Sequence, residues 1–286
     1  MMPIARTIVL FVLACGSSAC MAQQSPSNVT RTAFDTIMKS AVDSQWKSMP
    51  IGSIVINVAK QLIGKPYVGG TLETPGNEIC TVNLEGLDCV TLFESSLNIA
   101  RIIQQGKDSL QDLVAAVTYT RYRDGALTDY TSRLHYTSEW IDNNVKKGVV
   151  DDVTASLGGK PFPLSVGFMS QNPKYYPALV ASPSMVDVMR SIEQRVNMTK
   201  RTIIPKAAIA DIEDRLQDGD IVAIATSKKG LDYSHTGLIV SDGKRAHFLH
   251  ASSVKKKVVL DGPISEYLMR GETNLGITIL RPLPAK

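Results

Sequence analysis

Scarcity narrows this chain before any motif is read. Among 286 residues there are two tryptophans, four histidines and four cysteines. None of them falls in a CxxC pair or an HExxH run, so spacing encodes neither a zinc ribbon nor a zincin-type metal site. No apolar run is long enough to cross a bilayer. Charge of one sign is also missing: 31 Lys and Arg against 27 Asp and Glu leave +4, scattered along the chain. That excludes the concentrated basic face a nucleic-acid binder needs, although a mildly basic surface suits contact with anionic wall polymer. Repeats and low-complexity linkers are absent too. With 44% hydrophobic and 20% charged residues, what remains is a globular chain able to bury a substantial core.

The N-terminus points to export. Arg6 and Thr7 precede the apolar run Ile8 to Ala14, and Cys20 and Ala22 supply small residues before Gln23. Residues 1–22 are expected to be a signal peptide and the protein periplasmic. Cys15 or Cys20 could instead take a lipid, which would anchor the protein to a membrane. After cleavage Cys80 and Cys89 remain, in a compartment that permits disulfides. A Cys80–Cys89 bridge is therefore a structural alternative to a reactive thiol.

Helices are expected over Arg31 to Lys47 and Ile51 to Ile63, the first within an N-terminal helical segment, residues 23–50. Residues 51–286 then form one catalytic domain. Gly64-Lys65-Pro66-Tyr67-Val68-Gly69-Gly70-Thr71 is a loop, its glycines and proline excluding a regular element. Gly86-Leu87-Asp88-Cys89 leads into Val90, Phe93, Leu97 and Ala100, an apolar spacing of three and four. Asp88 suits an N-cap, which puts Cys89 in the first helical turn, where outward N–H groups and the helix dipole favour a thiolate. Arg121, Arg123 and Arg133 lie among tyrosines, a composition shared by ligand-binding surfaces and solvated helix faces; His135 fits a structural hydrogen bond. Residues 151–205, broken by prolines before a helix at Met185 to Asn197, read as an irregular lid or insertion. The last third reads as strands: Gly219 to Ile224, His235 to Val240, Lys244 to Ala251 and Gly276 to Arg281. Lys255-Lys256-Lys257 reads as a solvated sheet edge.

Asp242-Gly243 is a hairpin signal. As a two-residue loop it sets Ser241 opposite Lys244 and therefore His235 opposite His250, with Cβ atoms about 4.5–5.5 Å apart. His247, an odd step from His250, points to the other face. One cysteine at a helix start and two facing histidines satisfy a Cys-His-polar triad. A Cys-His-His zinc site and two histidines merely packed in a sheet remain alternatives.

In order along the chain, Gly64-Lys65-Pro66-Tyr67-Val68-Gly69-Gly70-Thr71-Leu72-Glu73, Gly86-Leu87-Asp88-Cys89-Val90-Thr91, Arg123-Asp124-Gly125, Ser132-Arg133-Leu134-His135-Tyr136, Gly219-Asp220-Ile221 and Gly230-Leu231-Asp232-Tyr233-Ser234-His235-Thr236-Gly237 together resemble the N-acetylmuramoyl-L-alanine amidase-like branch of the NlpC-type, papain-related cell-wall hydrolases. The resemblance runs from about Ile51 to Pro282. It implies an α+β, papain-like core in which the nucleophile helix packs on an antiparallel sheet. It also implies Cys89 as nucleophile, His235 as general base and then acid, and His250 as the orienting residue. Tyr67 would wall the cleft, and Asp232 and Ser234 would sit on its substrate side. The implied reaction is hydrolysis of the N-acetylmuramoyl–L-alanine amide of (1,6-anhydro) muropeptides, or of other peptidoglycan fragments, with no cofactor or metal. NlpC-type enzymes usually carry Ser-Gly after the cysteine, where this chain has Val90-Thr91. A stem-peptide endopeptidase and a non-catalytic cell-wall-binding protein are the other two expectations.

Overall fold

A computed structural model describes residues 26–285. The expected signal peptide and the candidate lipid-attachment residues Cys15 and Cys20 lie outside the described residues. Among the described residues no helix is long and apolar enough to cross a membrane. The elements in chain order are α1 (Asn28–Asp43), α2 (Ile51–Gln61), α3 (Cys89–Gln105), α4 (Leu110–Arg121), α5 (Thr137–Lys146), β1 (Val150–Asp152), β2 (Lys160–Phe162), α6 (Phe168–Gln171), α7 (Pro177–Ala181), α8 (Ser184–Asn197), β3 (Arg201–Pro205), β4 (Ile221–Thr226), β5 (Tyr233–Ser241), β6 (Ala246–Ser252), β7 (Lys257–Pro263), α9 (Ile264–Met269) and β8 (Asn274–Pro282).

The fold is α+β. One antiparallel sheet runs in the order β2-β3-β8-β4-β5-β6-β7, with β1 also on β8. Helices α2 and α3 cover one face. Ile54, Val55, Val58, Leu92, Leu97 and Ala100 meet Ala223, Leu238, Leu249 and Ala251 in a single apolar cluster. The other face holds Val222, Ile224, Ile239 and Phe248 against Ile264 and Leu268 of α9. Both faces of β4 are thus buried, which explains its unbroken apolar run.

Strands β1, β2, β3 and β7 are absent from the sequence expectation. Two of them are three residues long, and β2 and β3 each contain a proline, which edge pairing tolerates and pattern recognition does not. The expected solvated edge at Lys255 to Lys257 adjoins β7, which is the last strand of the sheet. Residues 151–205 are more regular than expected: α8 joins α6 and α7 around Met169, Leu179, Met189, Ile192 and Val196, closed by Tyr130 and Tyr136. This cluster abuts the loop into β5, since the Gly167 N–H donates to the Gly230 carbonyl (3.1 Å).

The three arginines considered for substrate contact are instead internal braces, which corrects that expectation. Arg121 is buried and donates Nε to Glu94 (2.8 Å) and Nη1 to the Thr81 carbonyl (2.6 Å). Arg133, also buried, donates to the Leu72 carbonyl (2.8 Å) and to Glu73 (2.5 Å), with Glu78 3.4 Å away. Arg123 pairs with Glu139 and donates to the Thr131 carbonyl (2.9 Å). Together Arg121 and Arg133 fasten the loop between Leu72 and Thr81 to the helical layer. A buried guanidinium needs carboxylates and carbonyls on its donors, and here the chain itself supplies them. His135 does make a structural hydrogen bond, its Nε2 lying 2.8 Å from the Tyr130 carbonyl. Replacing Arg121 with Met strands the buried Glu94 carboxylate. We expect a loss of about 3–5 kcal/mol in urea unfolding, and an unchanged unfolding midpoint would contradict the bracing role.

Candidate functional site

Helix α3 begins at Cys89 because Asp88 caps it. The Asp88 Oδ1 accepts the N–H groups of Val90 (3.1 Å) and Thr91 (2.8 Å), and the Thr91 hydroxyl accepts the Asp88 N–H (2.9 Å) in return. Such reciprocal caps are worth about 1 kcal/mol. The carboxylate is spent on the two residues after Cys89, so the cap does not engage the Cys89 N–H. Cys89 and Cys80 are both free thiols, and Cys80 is buried with its sulfur 3.8 Å from the Val114 carbonyl. The disulfide alternative is not what the structure contains.

Tyr67 is held beside this turn by backbone stitching. Its N–H donates to Lys256 (2.9 Å), Val68 N–H to Leu87 (3.1 Å), and Leu87 N–H back to Pro66 (3.0 Å). The close pass requires Gly86, because a Cβ there would sit 2.4 Å from a Val68 methyl. Burial raises the Tyr67 phenol above its ordinary range, and nearby Cys89 and Asp88 add to the effect.

Strand β5 meets the helix start at Thr236, whose hydroxyl donates to the Cys89 carbonyl (2.9 Å). Burial pushes the Cys89 thiol up to about 11, Asp88 adding to this while hydrogen bonds from Thr236 oppose it. His235, the preceding residue, turns Nε2 to His250 Nδ1 at 2.8 Å, their rings nearly perpendicular. Tyr267 lies flat beside His235 and edge-on to His250, with Phe248 stacked against His250. Cys89 also helps raise the Tyr267 phenol, after burial and Asp261. Burial holds His235 down to about 3, with His250 contributing, and His250 down to about 4. The resting site is thus an uncharged thiol with two uncharged imidazoles.

The hairpin differs from its expected register. Ser241 pairs with Ala246, not Lys244, and Leu238 with Leu249. Asp242 explains the longer turn: its Oδ1 accepts the N–H groups of Lys244 (2.9 Å) and Arg245 (2.7 Å), consuming four residues in the loop. The slip is an even number of positions, so both histidines keep one face but meet diagonally. His247 points away, 3.4 Å from Asp242. Because the two histidine nitrogens bond to each other, they do not converge on a common centre with Cys89. Among the described residues no cluster of three His, Cys, Asp or Glu could hold a metal ion.

Ser234 is exposed beside His235 and lines a cavity of about 390 Å³ with Lys228, Lys255, Arg270 and Asn274. Asp232 belongs elsewhere, which corrects its placement on the substrate side. It is buried, accepting the N–H groups of Ser138 (2.7 Å) and Tyr233 (2.8 Å), and so anchors the start of α5. Three residues of the site escaped the sequence: Thr236, Tyr267 and Asp261, the last 3.7 Å from His250 Nε2. Thr236 was accessible from strand parity, since it must face the helix when His235 does not. The other two depend on β7 and α9.

This α+β fold, with a free thiol at a capped helix start and two imidazoles paired across neighbouring strands, is one that amidase structures share. The chain matches the AmiA-like family, described as N-acetylmuramoyl-L-alanine amidase-like, over residues 57–277, and it belongs to that family. Its function is accordingly amidase-like and directed at peptidoglycan. No curated protein matches the chain. Among solved structures, an N-acetylmuramoyl-L-alanine amidase from Bacteroides uniformis ATCC 8492 is 35% identical with a TM-score of 0.76, covering 82% of this chain and 99% of that one. A Bacteroides fragilis protein described as a candidate xylanase is 36% identical with a TM-score of 0.73, covering 78% and 98%. Protein LPG0564 from Legionella pneumophila, at 20% identity and a TM-score of 0.67 over 90% and 96%, shares the fold.

Three shielded histidines, His250 buried and His135 and His235 half-buried, set an acid limit on stability. In the unfolded chain each titrates at its ordinary value of 6.5, whereas in the fold His235 and His250 titrate near 3 and 4 and His135 well below 6.5. The unfolded state therefore binds more protons below pH 6.5. Stability is complete above that pH and falls as pH drops toward 4, by about 1.4 kcal/mol per pH unit for each histidine. Urea unfolding between pH 7 and pH 4.5 should show this slope, and His250→Gln should reduce it by one proton. An equal slope in the variant would remove His250 from the account.

Proposed function

We propose that this chain is a cysteine amidase with a papain-like core, cleaving the N-acetylmuramoyl–L-alanine bond of (1,6-anhydro) muropeptides after export to the periplasm. The observation that carries the reading is the His235–His250 pair, 2.8 Å apart, with His235 on the strand whose next residue, Thr236, bonds to the Cys89 carbonyl. An imidazole tied through Nε2 to a second polar group keeps Nδ1 for a nucleophile. The Val90-Thr91 pair inside the Asp88 cap also supports this reading, since Thr91 closes the capping box.

The chemistry follows from those positions. As Cys89 sulfur attacks the lactyl carbonyl carbon, its proton passes to His235 Nδ1. Because thiol and imidazole are both neutral at rest, this transfer accompanies attack and does not precede it. The Cys89 N–H, outside the Asp88 cap, is placed to receive the developing oxyanion, assisted by the positive end of α3. His235 then protonates the L-alanine nitrogen, the C–N bond breaks, and a thioester remains. Water, deprotonated by His235, releases the muramic carboxylate and restores the thiol. Ser234, which shares the cavity of about 390 Å³ with His235, and Tyr67, whose phenol Cys89 helps raise, are the residues proposed to meet the substrate along this path.

Incubation with muropeptides and mass analysis of the products tests the assignment. Free sugar plus a peptide beginning at L-alanine is the expected outcome, whereas a shortened stem would indicate an endopeptidase. Cys89→Ala and Cys89→Ser should each lower kcat by about 10⁴-fold or more while leaving the unfolding midpoint in place. Turnover retained in either variant would end the cysteine mechanism, and inactive wild-type protein that still retained peptidoglycan would support a binding protein.

A further inference from the structure

His250 is buried, and its Nδ1 is taken by His235. Its Nε2 is also buried and has no hydrogen-bond partner in the structure, an unusual state for a polar atom. The acid nearest to it is Asp261, with Oδ2 3.7 Å away. Strand β7 aims that carboxylate: Val259 faces His250 across the β6–β7 ladder, so Asp261, two residues on, shares the face of His250 and Phe248. The ladder slips just there, between His247 and Leu249, a bulge that redirects side chains. Asp261 stays ionised. Burial alone would raise it, but the Gly262 N–H, Lys255 (3.0 Å) and Arg270 (3.5 Å) hold it down to about 2.

Resting on the cysteine amidase reading, we infer that Asp261 is a positioning residue that fixes the proton arrangement of both histidines. A neutral imidazole carries one N–H. An ionised carboxylate accepts hydrogen bonds and cannot donate, so it selects the His250 tautomer protonated on Nε2. His250 Nδ1 is then bare and accepts the His235 Nε2–H at 2.8 Å. His235 Nδ1 in turn is bare, which is the form that can take the Cys89 proton. Without the carboxylate the opposite arrangement competes. His250 would carry its proton on Nδ1, His235 would donate from Nδ1, and no base would face the sulfur. The charged and titratable groups around His250 are His235 on β5, Lys255 in the β6–β7 turn, Asp261 on β7, and Tyr267 and Arg270 at α9, Cys89 acting electrostatically on Tyr267.

Asp261→Asn tests this with little change of shape and with an acceptor left for Lys255. The probe is alkylation of Cys89 by iodoacetamide on the full chain, followed from pH 5 to 8 by mass analysis of the Cys89 peptide. Sulfur displaces iodide in this reaction and the thiol proton goes to His235 or to solvent, so no amide substrate is needed. In wild type the rate should be nearly flat with pH, because neutral His235 assists throughout. In Asp261→Asn it should be about tenfold lower at pH 6 and climb with pH as unassisted thiol ionisation takes over. Muropeptide turnover should lose kcat by a similar factor with little change in KM. A variant that unfolds earlier yet keeps the wild-type alkylation profile would make Asp261 merely structural and overturn the inference. Wild-type Cys89 reacting no faster than an ordinary thiol would overturn the amidase mechanism itself, before any variant is compared.

Discussion

The site depends on one crossing. Helix α3 and strand β5 touch where Thr236 donates its hydroxyl to the Cys89 carbonyl. That contact fixes the first helical turn, and its thiol, against the residue that follows His235. Strand alternation does the rest. With Thr236 facing the helix, His235 turns to the other face of the same sheet, where β6 and β7 supply His250 and Asp261 and α9 supplies Tyr267. The candidate chemistry therefore sits on the interior strands β5 and β6, where β5 passes the start of α3.

Around this crossing the protein buries titratable groups in two different ways. Arg121 and Arg133 are buried against carboxylates and backbone carbonyls, Arg121 on Glu94 and Thr81 and Arg133 on Glu73, Glu78 and Leu72, while Glu94 also accepts the Trp140 indole N–H (3.1 Å) and Glu78 the Tyr122 hydroxyl. His250 is buried and His235 and Cys89 are half-buried, and desolvation keeps all three uncharged, the one carboxylate near His250, Asp261, being shared with Lys255 and Arg270. The first arrangement gives a rigid frame for the long loop that carries Tyr67 toward the helix start. The second leaves a site whose protons can move, since neither thiol nor imidazole is locked into a salt bridge.

The errors of sequence interpretation have specific causes. Arginines beside tyrosines look the same whether their partners are a ligand or a loop of the same chain, and those of Arg133 lie some sixty residues away at Leu72 and Glu73. Asp232 stands three residues before His235, which suggested a cleft position, but an N–H from Ser138 claimed its carboxylate. The hairpin register failed because Asp242 used its side chain to lengthen the turn, an option that the dipeptide Asp-Gly does not disclose.

Local chemistry in the chain determined the start of α3, the capping role of Asp88, the strand character of the last third and the shared face of the two histidines. These follow from periodicity and from capping, which act over a few residues, and alternation survives any even slip in register. Only the tertiary structure decided that the arginines brace the interior, that Asp232 anchors a helix, and that Tyr267 and Asp261 join the site. Those outcomes rest on pairings between segments distant in sequence, where burial makes each polar group take whichever partner the packing brings within reach.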